Sequence, residues 1–378
     1  MGIMFKEDGQ VLFTDDLNNN FLEAKYGLLI GAGVDGDLII DSPVTLTDYF
    51  EYNNLTIEEG GSLDTAGFVV RVANELTING EVNNNYLGAS GSSGAPTPIG
   101  GGGDGGNGGG NVFIFTRKIK GEGSISVNGG DGTNGSDGVQ SPGGIGPSFD
   151  YTTSLGPVGG NRVHTISYGT IPNTGGGPTN RTYQDISFHE VLFEGRAESN
   201  VAGSGGQGAA GGNGVRTPNP SVLAHGGRGG GGASSFGPSF TGGPGGQGAG
   251  SIPTPPGSTP VGVGGGAGGG GGGAGGLVFI LSLTVDETTN ISVQANGGAG
   301  GDGGNPGGPN SGGGGGGSGG SGGAIITLIP QESPARFSFE RLGGAGGAGK
   351  PSGSSTPGVG GTPGTAASEG VYLEWDLK

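Results

Sequence analysis

The sequence predicts an all-β fold, with β-solenoid-like rungs followed by a glycine-rich repeat region of β-strands and polyglycine-II helices, and a short N-terminal helix. Three observations carry this expectation. The chain has 102 glycines in 378 residues, where roughly 7% is usual. Short β-branched and aromatic runs recur at about ten-residue spacing between turn residues. Some glycines form consecutive Gly-Gly-X triplets, as in Gly297-Gly298-Ala299, Gly300-Gly301-Asp302 and Gly303-Gly304-Asn305. Three residues per turn is the period of the polyproline-II helix, and glycine chains of that form can pack side by side.

Composition excludes several classes. Hydrophobic residues make up 30% and charged residues 12%, against about 45–50% and 25% in an ordinary domain, so no large Leu-rich core can be assembled. Gly/Ser tracts alone behave as flexible linkers, but here compact apolar strands interrupt them and the charge is too low for a solvated tail. Collagen needs strict Gly-X-Y triplets and about 15–20% Pro; here Pro is 23 residues and the triplets break repeatedly. A net charge of −17 repels phosphate backbones and anionic membrane surfaces. The absence of Cys rules out disulfides and thiolate metal sites.

In chain order, residues 1–36 form an N-terminal attachment or cap segment. It has no basic and apolar leader of the secretory kind, and Leu28-Leu29-Ile30 is too short to span a bilayer. Val11-Leu12-Phe13 reads as a strand. Thr14 or Asp15 can cap a helix carrying Leu17, Phe21 and Ala24, stopped by Gly27, Gly31 and Gly33. Residues 37–87 read as rungs, with strands at Asp37–Ile40, Val44–Leu46, Leu55–Ile57, Phe68–Val72 and Leu76–Ile78. Residues 88–370 form the glycine-rich domain. Its unit is a glycine tract, a buried strand, a turn and an alternating strand. This unit recurs from Asn111–Phe115 to Ser124–Asn128, from Leu277–Leu281 to Ile291–Asn296, and from Ala324–Ile329 to Arg336–Phe339. Residues 371–378 alternate Val371, Leu373, Trp375 and Leu377 with polar neighbours and read as a closing strand.

Known chemistry is mostly missing. G-x-G-x-x-G matches are frequent in so glycine-rich a chain, and none lies between a strand and an amphipathic helix. Gly344 to Lys350 begins like a phosphate loop, but Pro351 stands where the metal-binding hydroxyl belongs. Gly316 to Gly320 matches G-x-S-x-G without the strand-to-helix elbow. His164, His189 and His225 have no metal-ligand spacing. Asp104, Asp131 and Asp302 sit in Gly-Gly-Asp sequences like those of calcium-binding β-rolls, without the aliphatic residue two positions on; they read as solvated turn residues. No enzyme activity, cofactor or metal is expected.

The long segment 139–260 is rich in Pro and polar residues. Loops of that length are uncommon unless functional, and binding residues concentrate on loops carried by rigid scaffolds. Phe149, Tyr151, Tyr168, Tyr183, Phe236 and Phe240 are the candidate contact residues, with Arg162 and Arg181 as polar anchors.

The alternation of glycine tracts with strands such as Val112–Phe115 and Leu277–Leu281, over roughly residues 88–370, resembles glycine-rich tail-fibre and spike proteins of phages. It is similar in pattern to the polyglycine-II sandwich of distal tail-fibre adhesins. The resemblance implies a virion structural protein, with a glycine lattice whose variable loops touch a host receptor. It also implies attachment to other tail or fibre proteins through residues 1–36, as a trimer or a single-chain tip. Release by cell lysis would need no export signal. Residues 37–87 are not part of that pattern. A cellular glycine-rich surface or matrix protein, a virion decoration protein and a tailspike depolymerase are the alternatives.

Overall fold

The computed structural model describes residues 3–5, 11–13, 27, 29–85, 102–137, 140–141, 230, 262–263, 266–307, 312–330, 333–351 and 371–376. These residues are strand-dominated and almost free of helix. Among them, no helix is long and apolar enough to cross a membrane. Two short antiparallel pairs stand apart from the main sheets: β1 (Ile3–Phe5) with β2 (Val11–Phe13), and β11 (Gln140–Ser141) with β12 (Gly262–Val263).

The remaining strands alternate along the chain between two parallel sheets. The seven-stranded sheet contains β3 (Leu38–Ile40), β5 (Phe50–Ile57), β7 (Val70–Ile78), β9 (Asn111–Lys120), β13 (Leu277–Val285), β15 (Ala324–Ile329) and β17 (Val371–Asp376), in that spatial order. The six-stranded sheet contains β4 (Pro43–Thr45), β6 (Ser62–Asp64), β8 (Glu81–Asn83), β10 (Ser124–Ser126), β14 (Ile291–Gln294) and β16 (Phe337–Glu340). Sequence-adjacent strands therefore lie in different sheets, and each strand pairs with the next of its own sheet. Pairing of β7 with β9 and of β8 with β10 carries both sheets from the glycine-poor part into the glycine-rich part.

Parallel pairing in register stacks like side chains. In the six-stranded sheet the register aligns the column Val44, Leu63, Val82, Ile125, Val293 and Phe339, buried from Leu63 to Val293 and exposed at Val44 on the edge strand. Leu38, Leu55, Leu76, Ile119 and Val285 form a facing column in the other sheet. Apart from Val44, both columns meet in one core cluster. The seven-stranded sheet is covered on its outer face as well, as near-continuous apolar strands require. There Phe113, Phe115, Leu277, Leu281 and Ile326 pack with Ile30 of the segment before the sheets.

A polar clamp fixes that segment. Arg71 is 7% exposed and lies beside Glu51 at 3.8 Å, over the ring of Tyr49. Glu51 also accepts the Ala32 N–H at 2.9 Å, while its own N–H donates to Asp35 at 2.7 Å. Burial pushes the Glu51 carboxyl up, but hydrogen bonds from Tyr49 and Ala32 and the Arg71 charge outweigh it, holding the group below its ordinary value. Across the central strands of the seven-stranded sheet, Lys118 bridges Asp286 at 2.8 Å and Glu75 at 3.0 Å, and Lys120 also contacts Glu75. The hydrogen bond from Lys118, with those from Thr288, holds Asp286 well below the usual carboxylate range.

The structure corrects the expected boundaries in three places. Helical geometry is present at Gly27, Leu29 and Ile30, past the expected end, while the expected helix over residues 14–26 lies outside the described residues. The turn comes at Gly31, whose φ of +91° suits glycine and whose N–H still reaches Gly27 O at 3.3 Å. Phe68–Val72 and Leu76–Ile78 belong together in β7, which runs Val70–Ile78 and absorbs the polar interruption as a register shift between Val72 and Glu75. β6 and β8 were not expected, because one inward residue per strand leaves no alternation to read.

Candidate loop-bearing end of the glycine layers

Each glycine tract continues a strand, so the two sheets extend into two layers of extended chain. Residues 102–110, 266–276 and 312–323 lead into β9, β13 and β15 and form the first layer. Residues 127–137, 295–305 and 341–351 leave β10, β14 and β16 and form the second.

Backbone bonds within a layer run between parallel tracts. In the first layer Gly103, Gly106 and Gly109 donate to Gly268, Gly271 and Ala274, each at 2.8 Å. In the second, Gly129, Gly132 and Gly135 donate to Asn296, Ala299 and Asp302, each at 2.8 Å. Between layers the tracts are antiparallel. Gly270 and Gly273 donate to Thr133 and Gly130 at 2.9 Å, and Gly298 and Gly301 donate to Gly273 and Gly270 at 2.8 Å. Such close approach leaves no room for side chains. A Cβ on Gly270 would fall on the Asp104 carbonyl oxygen, and one on Gly301 on that of Thr133.

A third set of second-layer N–H groups points away from both neighbours, and side chains cap it. Asn296 N–H donates to Asn128 Oδ1 at 2.8 Å, and Leu342 N–H to Asn296 Oδ1 at 2.7 Å. Ala299, Asp302 and Asn305 donate to Asp131, Asn134 and Asp137 at 2.7, 2.7 and 2.6 Å. Asp302 in turn accepts from Ala348 at 2.7 Å and meets Lys350 Nζ at 3.2 Å. The Ala348 hydrogen bond, more than the Lys350 charge, holds the Asp302 carboxyl below its ordinary value against the effect of burial. Asp131 and Asp302, read from the sequence as solvated turn residues, are therefore backbone caps. The signal for this role was the three-residue spacing of Asn128, Asp131, Asn134 and Asp137.

The ends of these tracts remote from the strands meet in one place. Lys350 N–H donates to Gly314, Gly314 to Gly304, Gly304 to Ala267 and Ala267 to Ser136, at 2.7–3.0 Å. The chain leaves this end after residue 137 and returns by residue 266. Gln140 pairs with Val263 and Ser141 with Gly262, which closes the root of the long insertion. The insertion is tied down again at Gly230, which donates to Gly269 at 2.8 Å and accepts from Ser318 N–H at 3.0 Å.

All eight candidate contact residues, Phe149, Tyr151, Arg162, Tyr168, Arg181, Tyr183, Phe236 and Phe240, lie outside the described residues, as do the three histidines. The glycine decoys are accounted for. Gly344, Gly347 and Lys350 have committed their N–H groups to Gly320, Gly317 and Gly314, so this segment offers no phosphate cradle there. Ser318 is buried within the first layer. Among the described residues, no group of three or more His, Asp or Glu is placed to hold a metal ion. Comparison with protein-family models, curated proteins and solved structures finds no match.

Proposed function

We propose that this chain is a non-enzymatic structural protein of a viral tail fibre or spike that mediates adhesion to a host-cell receptor. In this reading the two parallel sheets are a β-solenoid, and the glycine layers are a polyglycine-II sandwich continuing it. Together they form a rigid base for the insertion spanning residues 139–260. Residues 1–36 join the protein to other tail or fibre components of the virion. The observation that carries the reading is the insertion's root, a closed β11–β12 ladder at the end of a layered array. A chain that puts so much backbone bonding into a scaffold, and interrupts it between residues 137 and 266 with a long segment rich in aromatic and polar residues, has the arrangement of a recognition loop on a rigid support.

The test exchanges residues 142–229 and 231–261 for short neutral linkers, keeping β11, Gly230 and β12. The protein should still unfold cooperatively at an unchanged temperature, while binding to host cells is lost. Unchanged binding would move the protein to the decoration class. Cleavage of a surface glycan by the intact protein would favour the depolymerase alternative.

A further inference from the structure

We infer that Asn128-Gly129, Asn134-Gly135 and Asn296-Gly297 are latent modification sites, whose deamidation is gated by opening of the glycine layers and then locks them open. Asn followed by Gly is the most labile dipeptide for this reaction, because no side chain hinders the attacking nitrogen. The backbone nitrogen of the Gly attacks Cγ of the Asn, ammonia leaves, and a cyclic succinimide forms. Water then opens the ring at one of its two carbonyls, giving either Asp or isoaspartate.

In the layered array both reacting groups are held. The attacking nitrogens of Gly129, Gly135 and Gly297 donate to Asn296 O at 2.8 Å, Asp302 O at 2.8 Å and Leu342 O at 2.9 Å. The side-chain oxygens of Asn128, Asn134 and Asn296 accept from Asn296, Asp302 and Leu342 N–H at 2.8, 2.7 and 2.7 Å. Ring closure would have to break both bonds and turn the nitrogen toward Cγ, which the packed tracts forbid. Opening of the array removes the restraint at all three sites together.

The two products then differ. Asp retains the capping geometry, since Asp131, Asp137 and Asp302 already hold equivalent positions. Isoaspartate inserts a methylene into the backbone. Every donor and acceptor beyond it falls out of step with a neighbour whose bonds recur at three-residue intervals, so the tract cannot return to its place. Asn79-Gly80 provides an internal comparison, because Gly80 N–H donates to Ile57 O at 3.1 Å but the Asn79 side chain is exposed outside the array, so only one of the two reacting groups is held.

The test incubates the full-length protein at 37 °C and neutral pH, folded and in urea, and maps deamidation and isoaspartate by peptide mass spectrometry. Rates at Asn128, Asn134 and Asn296 should be at least about tenfold lower in the folded protein, since exchange with open forms is limited by local stability, while Asn79 should be suppressed less. After removal of urea, the isoaspartate-bearing fraction should fail to recover its cooperative transition. A triple N128D/N134D/N296D variant should refold. Equal rates at the three sites in folded and unfolded protein, or full refolding of isoaspartate-bearing chains, would overturn the inference.

Discussion

Gly270→Val should prevent the two glycine layers from closing. Gly270 sits against three other tracts. Its N–H donates to Thr133 O at 2.9 Å, its carbonyl accepts from Gly301 at 2.8 Å, and the space where a Cβ would go is filled by the carbonyl of Asp104. That atom is backbone, held by its own bond from Thr133 N–H at 2.9 Å, so it cannot swing aside as a side chain could. The layers must separate, and separation breaks bonds along the whole tract. The cost should reach or exceed the top of the ~1–3 kcal/mol range typical of overpacking. Gly27→Ala provides the control, because no atom lies within 4 Å of a Cβ there and Ala is the better helix former. Thermal melts should show the first variant strongly destabilised and the second unchanged or slightly improved. Equal melting of Gly270→Val and the parent would mean that the tracts do not touch.

The second large effect is expected at Phe113→Ala. Phe113 is 1% exposed and belongs to the cluster on the outer face of the seven-stranded sheet, with its ring centroid 6.1 Å from that of Phe279. Parallel pairing fixes it opposite Phe279, so neighbouring strands cannot shift to fill the void. Truncation should cost about 3–5 kcal/mol. Ile39→Ala removes an aliphatic side chain that is 68% exposed and should stay within about 0.5 kcal/mol of the parent. Chemical denaturation followed by circular dichroism separates the two, and similar midpoints would contradict the assigned core.

The strand-dominated character was legible because runs such as Val112–Phe115 and Leu277–Leu281 are continuous, apolar and rich in β-branched and aromatic residues, and Gly or Asn-Gly punctuates them. Strand lengths were less legible. β9 and β13 run past their apolar stretches into Thr116–Lys120 and Ser282–Val285, where parallel pairing with neighbours, and not local pattern, keeps the chain extended. β6 and β8 carry a single inward residue each, Leu63 and Val82, and exist because the strands beside them do. Which tract bonds to which could not be read at all, since one glycine backbone is like another. The capping role of Asn128, Asp131 and Asn134 was hidden for a related reason. An Asp between glycines looks like a turn residue until the next tract is placed against it. The eight aromatic and Arg residues proposed for receptor contact rest on sequence alone.

Amide hydrogen exchange distinguishes glycine tracts bonded into an array from flexible linkers. Gly106, Gly130, Gly270, Gly273, Gly298 and Gly317 each donate to a backbone carbonyl of another tract at 2.8–2.9 Å. Their amides should exchange as slowly as those of β9 and β13, through the same cooperative opening. Flexible glycine linkers exchange at the rate of unstructured peptides. Slow exchange across residues 102–110, 266–276 and 312–323, together with the strands, is the predicted result. Exchange of those residues at the unstructured rate while the strands stay protected would mean that the tracts are linkers.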